Sequence, residues 1–192
     1  MAVGDCERSF ASAAAAAGIP LVRQSVAWLN QRGHLGLPGE AHAACAALER
    51  IFLALGGDTS VQAPKRTTPL RGDFLHVESG TLIEVDEVQH CTSHRLLSLD
   101  LYPEDAPLGF DLRRYRGLCH LWSDRADKYR ATKDAVAFGP GGRHRQRAYY
   151  DSLRDLAAPA MGRPPVVRAD AVDGDGAAAF SRLHARLEHL SS

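Results

Sequence analysis

Lysine is nearly absent from this chain. It occurs only at positions 65, 128 and 133, so arginine carries almost all of the positive charge. Arginine offers a rigid fork that meets phosphate or carboxylate with two bonds at once, although the same bias follows from a GC-rich genome. Net charge is absent as well. The 23 basic and 23 acidic side chains cancel, so bulk charge gives no case for nucleic-acid binding and only a local basic surface could. Cysteine is scarce and scattered. Cys6, Cys45, Cys91 and Cys119 form no Cys-x-x-Cys pair, which argues against a disulfide framework and makes the reducing cytosol the simplest home. The set His90, Cys91, His94, Cys119 and His120 holds both kinds of zinc ligand but lacks a paired knuckle, which disfavours structural zinc. A long apolar run is missing too: Ala11 to Ala17 is too short and too weakly apolar to span a membrane. Asp5 and Glu7 precede it where a secretory leader would be basic.

What is present is ordinary globular composition. At 192 residues, 45% hydrophobic and 24% charged, the chain suits one domain with an ample core, or a domain plus a helical extension. Periodicity and breakers predict helices over 6–17, about 20–32, 40–55, 146–156 and 177–190. The 40–55 helix carries an apolar face of Ala43, Ala44, Ala47, Leu48, Ile51, Phe52 and Leu55, closed by Gly56-Gly57. Residues 58–70 read as a loop and 165–169 as a short strand. Between 91 and 145 the pattern leaves helix and strand open, with a basic glycine-rich loop at 138–145.

The most informative stretch is Gly72-Asp73-Phe74-Leu75-His76-Val77, a turn, then Thr81-Leu82-Ile83-Glu84-Val85-Asp86-Glu87-Val88-Gln89-His90. It reads as two antiparallel strands carrying three carboxylates among apolar residues. Alternation puts Glu84 and Asp86 on one face, roughly 6.5–7 Å apart, and Ile83 and Val85 on the other. A hairpin can bring Asp73 beside them. Clustered carboxylates repel one another unless a hard cation lies between them, and oxygen ligands of this kind suit Mg²⁺ or Mn²⁺.

These residues resemble the signature of the PD-(D/E)XK superfamily of metal-dependent nucleases, an Asp on one strand and Glu-x-Lys on the next. Ile83-Glu84-Val85-Asp86-Glu87-Val88-Gln89-His90 is similar to the branch of very-short-patch-repair-like endonucleases. It has no Lys after Glu84, and Glu87 stands where that branch usually has Gly. The resemblance implies an α/β fold with a restriction-endonuclease-like core, a mixed sheet flanked by helices. Residues 1–38 would be an N-terminal helical extension and 39–192 the core domain, with an insertion at about 91–145 after the second core strand. The helix from Gln146 would cross over to set 165–169 parallel to a neighbouring strand.

The activity so implied is hydrolysis of DNA phosphodiester bonds. The alternative is a catalytically degenerate nuclease fold that binds nucleic acid or a protein partner. Asp73 and Glu84 would bind the metal with the Val85 carbonyl, and Asp86 occupies the place of the Lys. His90 would act as acid or orient a phosphate oxygen, or would simply end the strand bonded to backbone. Gln146 and Tyr150 form a Q-x-x-x-Y spacing on one helix face, similar to a motif of RecB-type nucleases. Arg71, Arg143, Arg145, Arg147 and Arg154 are the basic candidates for DNA contact, with Arg154 better suited to an ion pair with Asp151 or another acid. Glu40 is either an accessory acid or a first-turn charge on its helix. Cutting both strands would take a homodimer or two successive events.

Overall fold

The computed structural model describes residues 4–23 and 25–190. The first helix, α1 (Asp5–Ala16), follows from its alanines and from Asp5 and Glu7 in its first turn, where the helix dipole favours negative charge. It buries Cys6, Phe10 and Ala14, one residue per turn. Gly18, at φ 77, lets the chain leave that helix. Strand β1 (Leu21–Val22) follows, then α2 (His42–Ala54), the one-turn α3 (Thr59–Gln62), β2 (Phe74–His76) and β3 (Thr81–Asp86). Two helices fill the stretch that the sequence left open: α4 (Ser93–Asp100), capped by Thr92, and α5 (Leu112–Ala126), capped by Asp111. Helix α6 (Arg143–Ala160), β4 (Val167–Asp170) and α7 (Gly176–Leu190) complete the chain.

The four strands form one mixed sheet in the order β1-β2-β3-β4. The first three are antiparallel neighbours, while β4 runs parallel to β3 with Glu84 opposite Arg168 and Asp86 opposite Asp170. Helices cover both faces. On one, Ile83, Val85, Val167 and Ala169 pack with Phe10, Ala14, Phe180 and Leu187 of α1 and α7. On the other, Leu82 joins Leu48, Ile51, Phe52, Leu99, Tyr149 and Leu153 of α2, α4 and α6. A fully buried side chain such as Phe10 or Phe52 contributes about 2–3 kcal/mol. Among the described residues no helix is long and apolar enough to cross a membrane.

Three expectations change. The helix expected over 20–32 does not form; Leu21 and Val22 pair with His76 and Leu75 instead. Pro20 and the β-branched Val22 suit an extended edge strand, and sheet pairing outweighs the local helical spacing. Residues 1–38, expected as an appended extension, therefore supply an edge strand, and α1 packs along α7. The 91–145 segment likewise joins the main core, through Leu99, Tyr115 and Cys119.

Candidate active site and basic cleft

Alternation along β3 turns Glu84 and Asp86 towards α6, where both are buried, at 5% and 1% exposure. Their surroundings differ. Asp86 is saturated: Arg168 Nη1 donates to both its oxygens (3.0 and 2.8 Å), the Tyr115 hydroxyl donates to Oδ2, and His90 Nδ1 lies 3.2 Å from Oδ1. Arg168 also reaches Asp155 Oδ1 through Nε at 2.8 Å and the Asp151 carbonyl through Nη2 at 3.1 Å. Asp155 in turn takes Arg95 Nη2 and the Tyr102 hydroxyl, each at 2.7 Å. His90 Nδ1 is 3.0 Å from Asp151 Oδ2. Burial works against the charge on Asp151, yet His90, Arg168 and Arg95 together hold its carboxyl well below the usual range.

The other two acids lie at the edge of this network. Asp73, just before β2, accepts the Val85 N–H at 2.8 Å. Glu84 Oε1 lies 3.2 Å from Arg154 Nε. Burial pushes the Asp73 carboxyl up to about 7, against the pull of the Val85 N–H and with Glu7 and Asp86 adding to it. Burial likewise pushes Glu84 up to about 8, against Arg154 and with Asp73 adding to it. Asp73 and Glu84 are thus the acids of this site held above the ordinary carboxyl range. Among the described residues no group of three or more His, Cys, Asp and Glu side chains is arranged to hold a metal ion. Asp86 in particular is committed to Arg168.

Beside Glu84 opens a cleft of about 410 Å³, lined by Lys65, Arg71, Arg143, Gln146, Tyr150 and Arg154 with Gln31, Leu70 and Val136. No carboxylate is among its lining residues. Arg154 is clamped between Glu84, the Tyr150 carbonyl (3.1 Å) and the Arg71 carbonyl (2.5 Å). Arg143 Nη1 donates to Gln146 Oε1 at 2.5 Å, and the Tyr150 hydroxyl donates to the Gln31 carbonyl at 3.1 Å. Among the described residues, Lys65, Arg71 and Arg143 have no carboxylate ion-pair partner. Arg71 also lines a second cavity, of about 420 Å³, with Asp73, Glu7 and Arg23. The basic cleft and the Asp73 carboxyl therefore share a wall.

Arg71, Arg143, Gln146, Tyr150 and Arg154 thus come together. Arg145 and Arg147 do not join them: Arg145 donates to the Pro140 carbonyl (3.0 Å) and Arg147 to the Gln89 carbonyl (2.9 Å). Glu40 is exposed in the turn Gly39–Ala41, ahead of α2. Val85 is buried, with its N–H taken by Asp73. Sequence reasoning missed Arg168, Asp155, Tyr115 and Glu7. A lone Arg inside the apolar Val166-Val167-Arg168-Ala169 was a usable signal, since a strand buried on both faces tolerates a charge only beside a partner. Glu7 carried no signal, because its place depends on α1 belonging to the core.

Comparison with family models, with curated proteins and with solved structures finds no match for this chain. The functional reading below rests on residues and geometry.

Proposed function

We propose that the chain is a metal-dependent nuclease of restriction-endonuclease-like fold that hydrolyses DNA phosphodiester bonds. The observation that carries this reading is the acid-free cleft. Lys65, Arg71 and Arg143, uncommitted to any carboxylate, line a groove whose Arg71 wall continues to Asp73 and whose Arg154 reaches Glu84. Proteins leave cations unpaired where a polyanion is to be bound, because phosphate then supplies the missing charge. The order α1, β1, α2, α3, the β2–β3 hairpin, α4, α5, α6, β4 and α7, with β4 parallel to β3 in a mixed sheet flanked by helices, is compatible with this reading.

Asp73 and Glu84 fit one hard divalent cation. Burial and neighbouring acids raise both carboxyls even with Arg154 at 3.2 Å from Glu84, so a further positive charge would be favoured beside them. Mg²⁺ commonly takes one or two carboxylates and keeps water or phosphate as its other ligands. When bound, Mg²⁺ or Mn²⁺ would supply the charge that polarises the scissile phosphate and lowers the pKa of an attacking water. The protein's own part is positioning. Arg71 and Arg143 hold flanking phosphates, and Arg154 brings to Glu84 the positive charge that the absent Lys would otherwise supply. His90, its Nδ1 fixed between Asp86 and Asp151, offers its other nitrogen for proton exchange with the leaving oxygen. Asp86 orients His90 and anchors Arg168. Cutting both strands would take a homodimer or two nicking events.

A second reading is favoured by one observation: arginines already engage both strand carboxylates, Arg154 on Glu84 and Arg168 on Asp86. That suits a degenerate nuclease fold that binds nucleic acid without cutting it. Incubating supercoiled plasmid with Mg²⁺ or Mn²⁺, beside an Asp73→Asn control, separates the two. Nicking by wild type alone supports the nuclease. Binding that persists in EDTA, with no nicking in either metal, replaces it with the second reading. Neither binding nor nicking sinks both.

A further inference from the structure

A second groove, of about 660 Å³, lies beside the carboxyl ends of the parallel strands β3 and β4. It is walled by the segments that leave those strands, Glu87–Gln89 and Ala171–Gly174, and by the C-terminal end of α5 and the turn after it. Crevices outside the carboxyl ends of parallel strands are where open α/β sheets take ligands. This one presents Trp122 and Tyr129 with Arg125 and Lys128. Arg125 lies over the Trp122 ring at 5.7 Å from its centroid, and Arg130 over Tyr129 at 5.2 Å.

The groove's two acids, Glu87 and Asp173, have hydrogen-bond partners on their own segments. Glu87 accepts from Gln89 Nε2 at 2.5 Å, and Asp173 accepts the Asp175 N–H at 3.1 Å. Among the described residues, Arg125, Lys128 and Arg130 have no carboxylate ion-pair partner. Arg130 is the one non-glycine residue among the described residues with a left-handed backbone, at φ 55. That conformation costs about 1–2 kcal/mol, and it sits where the chain turns back at the groove's rim.

Arg147 stands between the groove's wall and the basic residues of the cleft. The Arg147 guanidinium reaches the Gln89 carbonyl at the groove's wall (2.9 Å), and it lies within electrostatic reach of Arg143 on one side and of Tyr129 and Arg130 on the other. His90 follows Gln89 directly.

We propose that this groove stacks unpaired bases on Trp122 and Tyr129, with Arg125, Lys128 and Arg130 on the adjoining phosphates, so that single-stranded nucleic acid is the preferred ligand. The inference rests on reading the cleft as a nucleic-acid site. Aromatic faces flanked by cations bind single strands with little sequence preference, because every base has a face to stack while paired bases hide theirs.

The test uses the whole chain in EDTA, so that nothing is cut. In a Trp28→Phe background, the remaining Trp122 reports on the groove by fluorescence. Oligothymidylate and a blunt duplex of equal length are titrated in turn, and Tyr129→Ala and Lys128→Ala are compared with their parent by anisotropy. Both substitutions are on exposed positions, so folding is preserved. The expected result is quenching of Trp122 by the single strand, with single-strand affinity lowered about tenfold in Tyr129→Ala and duplex affinity changed less than twofold. Unchanged single-strand affinity in Tyr129→Ala overturns the proposal. If wild type still binds duplex and Arg71→Ala weakens that binding, the reading of the cleft survives the loss. If wild type binds neither nucleic acid, both fall together.

Discussion

Arg168 Nη1 donates to both carboxylate oxygens of Asp86, at 3.0 and 2.8 Å, across the parallel pair of strands. Neither side chain has appreciable contact with water. The pair explains how a strand reading Thr-Leu-Ile-Glu-Val-Asp can be buried along its whole length. Arg168 supplies the counter-charge and the hydrogen bonds that burial of Asp86 demands, and is itself held by Asp151 and Asp155 from α6.

Removing Arg168 should therefore cost more than any surface change. With Asp86 and Asp155 left in the interior and stripped of a partner, Arg168→Ala is expected to lose about 3–5 kcal/mol. Urea unfolding of the variant measures this. A loss under about 1 kcal/mol would show that the network does not hold the sheet to α6.

The Asp73 carboxyl, raised to about 7, makes a pH prediction. Its folded pKa lies above the unfolded value near 4, so the folded state binds the extra proton and stability from this group falls as pH rises from about 4 through 7. Asp73→Asn mimics the protonated acid and keeps an acceptor for the Val85 N–H. It should match wild type near pH 4 and exceed it by about 1–2 kcal/mol at pH 8.5. Denaturation curves at the two pH values decide it, and a difference that stays constant between them would count against the shift. Asp151, with its carboxyl held low, contributes the opposite slope only below about pH 4.

Cation binding at Asp73 and Glu84 should expel protons, because both carboxyls are partly protonated near neutrality. Calorimetric titration with Mn²⁺ at pH 7, in buffers of different ionisation enthalpy, should show proton release that shrinks as pH is raised to 9. Proton-neutral binding, or binding unaltered in Asp73→Asn, would place the cation elsewhere.

The arginines should separate by position. Arg71→Ala and Arg143→Ala are each expected to weaken DNA binding across sequences and to lower the salt slope by about one. Arg145→Ala, whose guanidinium is bonded to the Pro140 carbonyl, should leave both unchanged. Equal effects from all three would mean diffuse attraction rather than a cleft.

The hairpin was legible because it is local. Period-two alternation around a turn fixes which face Glu84 takes and where Asp73 falls, and the register Phe74 to Ile83 follows from it. The spacing of Gln146 and Tyr150 was legible for the same reason, and helix geometry puts both in one cleft with Arg143 and Arg154. The N-terminal segment was not. Leu21 and Val22 carry too little pattern to outweigh the helical spacing around them, and their strand exists because β2 offers an open edge.

The sequence by itself determined the local elements and the chemistry on offer: an acid-bearing hairpin, arginine in place of lysine, and amphipathic helices to cover a sheet. Only the tertiary structure decided how that chemistry is divided. Parallel pairing of β4 with β3 brought Arg168 to Asp86 and removed that acid from the candidate site, leaving Asp73 and the buried Glu84 at the edge of the network. Packing of α6 against the sheet then set Arg154 on Glu84 and opened the basic cleft beside it. These contacts join residues dozens of positions apart, and the free energy of burying a charge depends on what arrives beside it, which no local pattern encodes.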